Sequence, residues 1–291
     1  MSIVHLPVLE REVSELLDLH KGGKYIDATV GLGGHSEMIL KMIGQDGRVI
    51  GLDRDDEALK QAAARLSDVR VTLRKATFSN MEATMHSLGM PEADGVLFDL
   101  GVSMMQLRDT ARGFSFLSEE RLDMRMDSRQ ILSAWDVVNT YAEQELIRII
   151  REYGEEFRAA RVVREIVRSR EKKTIDTCAE LAGIISRVLG RSGRTHPATR
   201  VFQALRIEVN RELDELKAGL ASSLSMLKQG GRLCVISYHS LEDRIVKNFI
   251  RDNAKAGKVI QLTKKPIVAS REEMRNNPSS RSAKLRGAEK T

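Results

Sequence analysis

Short apolar runs and amphipathic segments alternate over the first hundred residues. The runs are bounded by glycine and polar residues, and they predict strands at 24–30, 48–53, 69–73 and 95–100. Apolar residues spaced three or four positions apart predict helices at 8–19, 35–43 and 55–66. Because crossovers between parallel strands are right-handed, this order predicts an α/β fold, with a parallel sheet covered by helices on both faces.

The alternation stops after residue 100. Helical periodicity without a convincing strand predicts helices at 135–153, 155–170, 178–189 and 199–227. The alternation then resumes with a strand at 231–237, a helix at 241–251, a short strand at 258–263 and irregular sequence rich in Pro, Ser and Arg. Neither end completes a sheet alone, so residues 104–208 are predicted to be inserted between the two parts of one sheet domain, 1–103 and 209–291.

The composition excludes several classes of protein. With 42% hydrophobic and 30% charged residues over 291 positions, the chain is predicted to be globular rather than a membrane channel or a disordered tail protein. There is no apolar run of about 18 residues and no secretory signal pattern, so we expect a cytoplasmic location. The two cysteines, Cys178 and Cys234, are too few for a disulfide framework or a structural zinc site, and no residue cluster has metal-ligand spacing.

Positive charge is concentrated near the C-terminus. The formal net charge is +6, yet residues 251–291 alone hold eleven Lys and Arg against four Asp and Glu. A basic tail on a nearly neutral body indicates a polyanionic partner, because clustered positive charge releases counterions from phosphates. A solvated surface tail is the alternative.

A glycine turn follows the first predicted strand. Residues 27–36 read DATVGLGGHS, with Gly31, Gly33 and Gly34 between strand and helix. Without Cβ atoms, such a turn lets backbone N–H groups approach a ligand. Asp53 ends the second predicted strand, where a carboxylate can accept hydrogen bonds from ribose hydroxyls. The pair indicates a nucleoside ligand, unless the glycines only make a tight turn and Asp53 only caps the next helix.

Two residues of the turn discriminate between nucleoside cofactors. Ser36 stands where a dinucleotide fingerprint has its third glycine. Asp27 would repel a pyrophosphate and attract the cationic sulfonium or amino group of S-adenosylmethionine (SAM). The turn therefore favours SAM over NAD.

Other side chains lie at the predicted carboxyl ends of strands, where an open α/β sheet binds its ligands. Phe78 would cover an adenine face or belong to the core. Asp99 ends the fourth strand, where a carboxylate can accept a proton, orient an amine or cap the next turn. His239 is expected to face the same crevice, whereas Ser240 begins a helix start that resembles a capping box.

Many separately unusual strings occur in order along nearly the whole chain. They are HLPV (5–8), GLGGHS (31–36), LDRD (52–55), FS (78–79), DLGVS (99–103), QL (106–107), RGFSF (112–116), LDMRMD (122–127), YGEE (153–156), HPATR (196–200), FQALR (202–206) with Asn210, SYHSLEDR (237–244), RS (281–282) and LR (285–286). Together they resemble the bacterial small-subunit rRNA (cytosine-N4)-methyltransferases, also called RsmH or MraW.

This resemblance implies a Rossmann-like class I SAM-dependent methyltransferase core with an inserted all-α lobe for substrate recognition. The implied reaction is methylation of the N4 amino group of a cytidine in the decoding centre of 16S rRNA. Departures from the family pattern at Met104-Met105, Arg108, Arg121 and Ser279-Ser280 affect the expected details of RNA docking more than the reaction. The positions that match the family's SAM contacts are Gly33, Gly34, His35, Asp53, Phe78, Asp99 and Gln106, and the glycine turn adds Gly31.

The implied chemistry needs a proton acceptor, because the N4 lone pair is delocalised into the cytosine ring. Asp99 is the candidate acceptor, and Ser103 is predicted to assist it. Methylation at cytosine C5 would instead need a cysteine nucleophile. Cys234 lies in an apolar strand and Cys178 far away in the insert, so the N4 reaction is favoured.

Two polar stripes of the insert are candidates for phosphate contact. They are Arg161, Arg164 and Arg168, for which a solvated helix face is the alternative, and Gln203, Arg206 and Asn210. The neighbouring apolar residues Phe202, Leu205 and Val209 are predicted to lie in the core.

Aromatic residues make up only 4% of the chain, which favours folded RNA over single-stranded RNA as the partner. The predicted partner is 16S rRNA, within the 30S subunit or a late assembly intermediate; no membrane partner is expected, and a homodimer is left open. An NAD-dependent oxidoreductase is disfavoured by Asp27 and Ser36. A non-catalytic ribosome-binding factor is disfavoured because the pocket positions are all present.

Overall fold

The computed structural model describes residues 7–103, 105–106, 109–190 and 196–291. Five residues named in the sequence analysis therefore lie outside the described residues, namely His5, Leu6, Met104, Leu107 and Arg108. The chain divides into two compact units, which we call the sheet unit (Met1–Gly101 with Leu213–Thr291) and the helical unit (Val102–Glu212). The sequence analysis places the corresponding domain boundaries after residue 103 and after residue 208.

The first part of the sheet unit alternates strands and helices. Its elements are α1 (Glu10–Leu17), β1 (Lys24–Asp27), α2 (Gly34–Met42), β2 (Arg48–Asp53), α3 (Asp56–Arg65), β3 (Val71–Lys75), a 3-10 turn (Phe78–Asn80), α4 (Met81–Ser87) and β4 (Ala93–Asp99). Each predicted strand and helix of this region is present, with ends that differ by a few residues.

The helical unit carries its helices around one apolar cluster. They are α5 (Ala134–Thr140), α6 (Glu143–Glu152), α7 (Ala159–Arg170), α8 (Cys178–Leu189) and α9 (Thr199–Asn210), with a 3-10 turn at Thr110–Arg112. Phe202, Leu205 and Val209 are buried in this cluster, which confirms their prediction as core.

Two long helices predicted for the insert are each divided in the structure. Tyr141 and Ala142 have extended backbone and separate α5 from α6, so one helix over 135–153 is wrong. Arg211 adopts a left-handed φ of +50° and ends α9 inside the segment 199–227. Hydrophobic periodicity alone does not show such breaks, because each shorter helix still buries one apolar face.

The second part of the sheet unit completes a seven-stranded sheet. Its elements are α10 (Glu212–Met226), β5 (Leu227–Ser237), α11 (Ser240–Lys255), β6 (Val259–Gln261), α12 (Arg271–Asn276), a 3-10 turn (Pro278–Ser282) and β7 (Lys284–Lys290). The strand order is β3-β2-β1-β4-β5-β7-β6, with β1 to β5 parallel and β7 antiparallel to both neighbours. Because parallel strands end at one edge of a sheet, Asp27, Asp53 and Asp99 all lie along the same edge.

The last strand lies inside the sheet, although the sequence predicts an irregular basic tail there. Arg286 of β7 is only 5% exposed, and its Nε lies 2.7 Å from Oδ1 of Asp243. Glu289 of β7 lies 3.0 Å from the Arg232 guanidinium of β5. The strand was not predicted because charged residues interrupt its apolar pattern. In the structure, these charges have partners within the sheet unit.

The central strand β4 is buried on both faces. Val96 and Phe98 join an apolar cluster with α4, α10 and α11, whereas Leu97 joins a second cluster with α1, α2 and α3. This alternation follows from the period of two in a strand and confirms the prediction of a sheet covered on both faces. None of the helices in the described part of the chain is both long and apolar enough to cross a bilayer.

Asn210 fixes the loop around Met124, which has a left-handed φ of +60°. Its Oδ1 accepts a hydrogen bond from the N–H of Met126 at 2.8 Å, and its Nδ2 donates to the carbonyl oxygens of Met124 at 2.8 Å and Arg206 at 2.9 Å. We expect Asn210→Ala to lower the free energy of unfolding by about 3 kcal/mol, because it leaves buried backbone groups without partners. Denaturant unfolding of the full chain measures this loss. Gln144→Ala, on the exposed face of α6, is the control and should change stability by less than about 0.5 kcal/mol.

Candidate active site

The turn between β1 and α2 requires glycine at two positions. Gly31 has a φ of +51° and Gly33 a φ of +81°, which residues with a Cβ rarely adopt. Gly33 is the N-cap of α2, and its N–H donates to the carbonyl oxygen of Val30 at 2.7 Å. A Cβ on Gly33 would lie 2.9 Å from Cδ1 of Leu66, so a side chain there would displace Leu66 as well as strain the backbone.

Asp27 at the end of β1 is buried, which differs from the expectation that it meets a cation directly. Only 1% of the residue is exposed. Its Oδ2 accepts a hydrogen bond from the Ser36 hydroxyl at 2.7 Å, and its Oδ1 accepts one from the N–H of Thr29 at 3.2 Å. Burial raises the pKa of Asp27, against the opposing effects of these bonds and of His35. Asp27 therefore ties the strand end to the first turn of α2.

Asp53 at the end of β2 connects the glycine turn to α3. Its Oδ2 accepts a hydrogen bond from the N–H of Gly31 at 3.0 Å, and its Oδ1 accepts one from the N–H of Asp55 at 3.0 Å. Asp55, not Asp53, is the N-cap of α3. Burial raises the pKa of Asp53 to about 6, although both hydrogen bonds act in the opposite direction. The carboxylate thus holds the turn in place, and the residue as a whole is partly buried.

Phe78 follows β3 and is partly buried against the sheet. Its ring meets that of Phe98 edge to face, with centroids 5.1 Å apart and an interplanar angle of 86°. A Cβ on Gly219 of α10 would lie 2.7 Å from Cβ of Phe78, so the helix passes close over this residue. One side of Phe78 therefore packs in the core, which is one of its two predicted roles; the other, covering an adenine face, stays a prediction.

Asp99 at the end of β4 is surrounded by polar groups from three other elements. Its Oδ1 accepts a hydrogen bond from the Tyr238 hydroxyl at 2.7 Å, and its Oδ2 lies 3.5 Å from Nε2 of His35. Its backbone N–H donates to the Thr29 hydroxyl oxygen at 2.6 Å. The side chain keeps 20% of its surface exposed. Asp99 is therefore a fixed carboxylate that remains open to a small molecule.

His35 in the first turn of α2 is buried, and neither ring nitrogen makes a hydrogen bond with any residue that the structure describes. Burial alone would lower the pKa of His35, but the carboxylates of Asp99 and Asp27 raise it above the usual value. Gly34, immediately before it, is the first residue of α2, and a Cβ built on it would make only ordinary contacts with Pro7. Nε2 faces the Asp99 carboxylate at 3.5 Å, so Nδ1 is the ring nitrogen without a partner among the described residues, and such a buried polar atom points to a ligand or water.

The helix after β5 begins one residue earlier than the sequence indicates. His239, not Ser240, is the N-cap of α11, and it forms a capping box with Glu242. Its Nδ1 accepts a hydrogen bond from the N–H of Glu242 at 3.4 Å, and its Nε2 lies 3.2 Å from Oε1 of Glu242. The prediction of a capping box is confirmed, but its cap residue was placed wrongly.

Ser103 and Gln106 belong to the helical unit and bind each other. The N–H of Ser103 donates to Oε1 of Gln106 at 3.0 Å, and the N–H of Gln106 donates to the Ser103 hydroxyl oxygen at 3.2 Å. Their predicted roles, assistance to Asp99 and contact with SAM, stay predictions.

The prediction of a phosphate track on α9 is wrong for Asn210, which is buried, and stays a prediction for Gln203 and Arg206, whose side chains are bonded within the helical unit. Asn210 is only 1% exposed. Gln203 donates to the carbonyl oxygen of Tyr153 at 2.9 Å, and Nε of Arg206 lies 2.8 Å from Glu212. The stripe on α7, by contrast, is exposed and stays a prediction; its members are Arg161, Arg164 and Arg168.

Sequence reasoning assigned no role to Tyr238 or Thr29, which both contact Asp99. The available signal was their position, because each follows the end of a strand that neighbours β4 in the sheet. Strand order was not predicted, so this neighbourhood was hidden.

Comparisons with known proteins show the family to which this chain belongs. The model of the MraW methylase family matches residues 2–291. Proteins named Ribosomal RNA small subunit methyltransferase H are 50% identical in Persephonella marina, over 99% of each chain, and 49% identical in Sulfurihydrogenibium sp., over 98% of each chain. The crystal structure of a candidate rRNA-methylase from Clostridium thermocellum covers 99% of this chain and 100% of its own, with a TM-score of 0.50 at 16% identity, which shows the fold alone. The chain therefore belongs to the MraW methylase family and is a SAM-dependent methyltransferase.

Proposed function

We propose that this chain transfers the methyl group of SAM to the N4 amino group of a cytidine in the decoding centre of 16S rRNA. The observation that carries the proposal is the 50% identity, over 99% of both chains, to a protein named as a small-subunit rRNA methyltransferase. The geometry at Asp99 supplies the chemistry that such a reaction needs. The reaction belongs in the cytoplasm, where small subunits are assembled.

The residues at the carboxyl edge of the sheet fit SAM. The turn has positive φ angles at Gly31 and Gly33, and Nδ1 of His35 is buried without a hydrogen bond to the described residues. Asp53 stands where a nucleoside-binding sheet holds the ribose hydroxyls. We propose that SAM is bound by Gly31, Gly33, Gly34, His35, Asp53, Phe78 and Asp99, with Gln106 added from the sequence pattern.

When bound, SAM supplies an electrophilic methyl carbon for attack by N4, and the electron pair of the broken carbon–sulfur bond stays on sulfur. Asp99 provides the acceptor. Its carboxylate accepts a hydrogen bond from the amine, which favours an orientation of the nitrogen lone pair toward the methyl group, and it receives the proton that N4 loses.

The state of both cysteines argues against methylation at C5. Cys234 is fully buried in β5, and burial raises the pKa of its thiol. Cys178 is buried in α8, and burial raises its pKa to about 12. Because C5 chemistry needs an accessible thiolate to attack the base, neither residue is suited to start it.

The decisive experiment incubates the purified chain with methyl-labelled SAM and 30S subunits that lack this modification. Nuclease digestion and mass spectrometry then identify the modified nucleoside. A cytidine carrying the label on N4 is expected. A label on C5, a label in another RNA or no transfer to a folded, SAM-binding protein would each contradict the proposal.

We expect 30S subunits to be methylated at least about tenfold faster than a short oligonucleotide of the same sequence, measured as kcat/KM. Few aromatic side chains are available to stack unpaired bases, so affinity must come from the shape and phosphates of folded RNA. Deproteinised 16S rRNA is the intermediate control. Equal rates on the oligonucleotide would refute this expectation.

The affinity for SAM should weaken as the pH falls below about 6. The pKa of Asp53 is raised to about 6, so its carboxylate takes up a proton in this range and becomes a poorer acceptor for ribose hydroxyls. The free energy of unfolding should change in the opposite direction. Because the pKa of Asp53 is higher in the folded state than in the unfolded state, its protonation as the pH falls from about 6 favours the folded state. Calorimetric titration between pH 5 and 7 should show a Kd that rises several-fold at the acid end. In Asp53→Asn, the Kd for SAM should no longer rise as the pH falls from 7 to 5. If the Kd still rises as it does in the parent, the group that titrates is not Asp53.

A further inference from the structure

Tyr238 holds the carboxylate of Asp99 from the neighbouring strand end. β5 runs parallel to β4, with Asp99 beside Ile236 in the register, so Tyr238 follows β5 next to the end of β4. Its hydroxyl donates to Oδ1 of Asp99 at 2.7 Å. Burial and the charge of Asp99 raise the pKa of Tyr238, which keeps the hydroxyl protonated and able to donate.

The tyrosine ring is itself fixed in place. It packs against the apolar cluster on the α1–α3 face of the sheet. Gly101, two residues beyond β4, has a φ of +96°, and a Cβ on it would lie 3.4 Å from Cδ2 of Tyr238. The chain after β4 thus passes close to the ring, in a backbone conformation that favours glycine. A rigid ring makes its hydroxyl a fixed donor.

The carboxylate has a second constraint from the opposite element. Nε2 of His35 in α2 lies 3.5 Å from Oδ2 of Asp99, and the Thr29 hydroxyl fixes the backbone at the same residue. Without the Tyr238 hydroxyl, His35 would be the remaining polar side chain beside the Asp99 carboxylate among the residues that the structure describes. A carboxylate that must meet an amine in line with a methyl donor depends strongly on such orientation.

We propose that Tyr238 is a positioning residue for methyl transfer, which acts by fixing the orientation of the Asp99 carboxylate. This inference rests on the proposed role of Asp99 as the acceptor of the amine proton. It predicts a larger loss of turnover than of binding, because Tyr238 acts through the orientation of Asp99, and Asp99 is one of several residues proposed to bind SAM.

The first test compares Tyr238→Phe with the parent chain on 30S subunits. We expect kcat to fall at least about tenfold, with KM for the subunit and the calorimetric Kd for SAM within about threefold of the parent. The matched control is Tyr25→Phe, which removes another tyrosine hydroxyl of the sheet unit, bonded to the carbonyl oxygen of Asp18 at the other end of the sheet. Its kcat should stay within about twofold. A parent-like kcat for Tyr238→Phe would overturn the inference.

A double-mutant cycle shows whether Tyr238 acts through Asp99. In an Asp99→Ala background, the further change Tyr238→Phe should alter the residual rate by less than about twofold. A full second loss in that background would mean that Tyr238 acts independently, and would overturn the inference. If Asp99→Ala alone kept the parent rate, the proposed acceptor role would fail; if Asp99→Ala were impaired and Tyr238→Phe were not, only the inference about Tyr238 would fail.

Discussion

Replacing Asp99 with alanine should lower the rate of methyl transfer by about 100- to 10,000-fold at saturating SAM and 30S subunits, the range associated with losing a general base. The cytosine amine must lose a proton during the reaction, and Asp99 is a partly exposed carboxylate at the edge of the sheet, between His35 and Tyr238. Single-turnover measurements with labelled SAM would give the rate of the chemical step directly.

Asp99→Asn separates the charge of this residue from its shape. An asparagine retains an oxygen that can accept the Tyr238 hydroxyl, but it cannot take up the amine proton, so we expect a loss similar to that of alanine. Asp94→Asn is the matched control, because Asp94 lies at the opposite end of β4 and binds the N–H of Lys24 and the Lys228 ammonium group. Its rate should stay within about twofold of the parent. If both Asp99 variants bound SAM and RNA normally and kept the parent rate, Asp99 would not be the acceptor.

The strand ends at the candidate site could be predicted from the sequence. Asp53 and Asp99 each close a short apolar run, and parallel strands bring such positions to one edge, so their common edge follows from the α/β pattern. The glycine turn was equally legible, because positive φ angles at Gly31 and Gly33 leave few alternatives to glycine.

Contacts that depend on strand order were not readable. Tyr238 reaches Asp99 only because β5 is the neighbour of β4, and a single sequence carries no direct signal of that pairing. β7 was missed for another reason: Arg286 and Glu289 break the apolar alternation, and their partners Asp243 and Arg232 are distant in sequence. The burial of Asp27 and its hydrogen bond from the Ser36 hydroxyl were not predicted either.

Replacing Asp53 should change the affinity for SAM much more than it changes the free energy of unfolding. A pKa of about 6 instead of the ordinary 3.8 means that the ionised carboxylate costs roughly 3 kcal/mol in the folded state at neutral pH. This cost is net of the hydrogen bonds from Gly31 and Asp55, which already lower the pKa. Without Asp53, those two backbone N–H groups would lose their acceptor, at about 1–3 kcal/mol for each that stays buried. Asp53→Ala removes the cost and the bonds together, so the free energy of unfolding should change little.

The affinity for SAM, in contrast, should fall by about 100-fold in Asp53→Ala. The variant loses a charged acceptor for the ribose hydroxyls and the bond that holds the Gly31 turn, together worth roughly 3 kcal/mol of binding. Calorimetric titration at pH 7.5 measures the Kd, and denaturant unfolding of the same sample measures stability. Asp68→Ala is the matched control, because Asp68 makes the same kind of bond to the N–H two residues ahead, in Arg70. It should leave the Kd for SAM unchanged. A stable Asp53→Ala variant with a Kd within threefold of the parent would show that Asp53 only organises the turn, because a carboxylate that binds the ribose cannot be removed without loss of affinity.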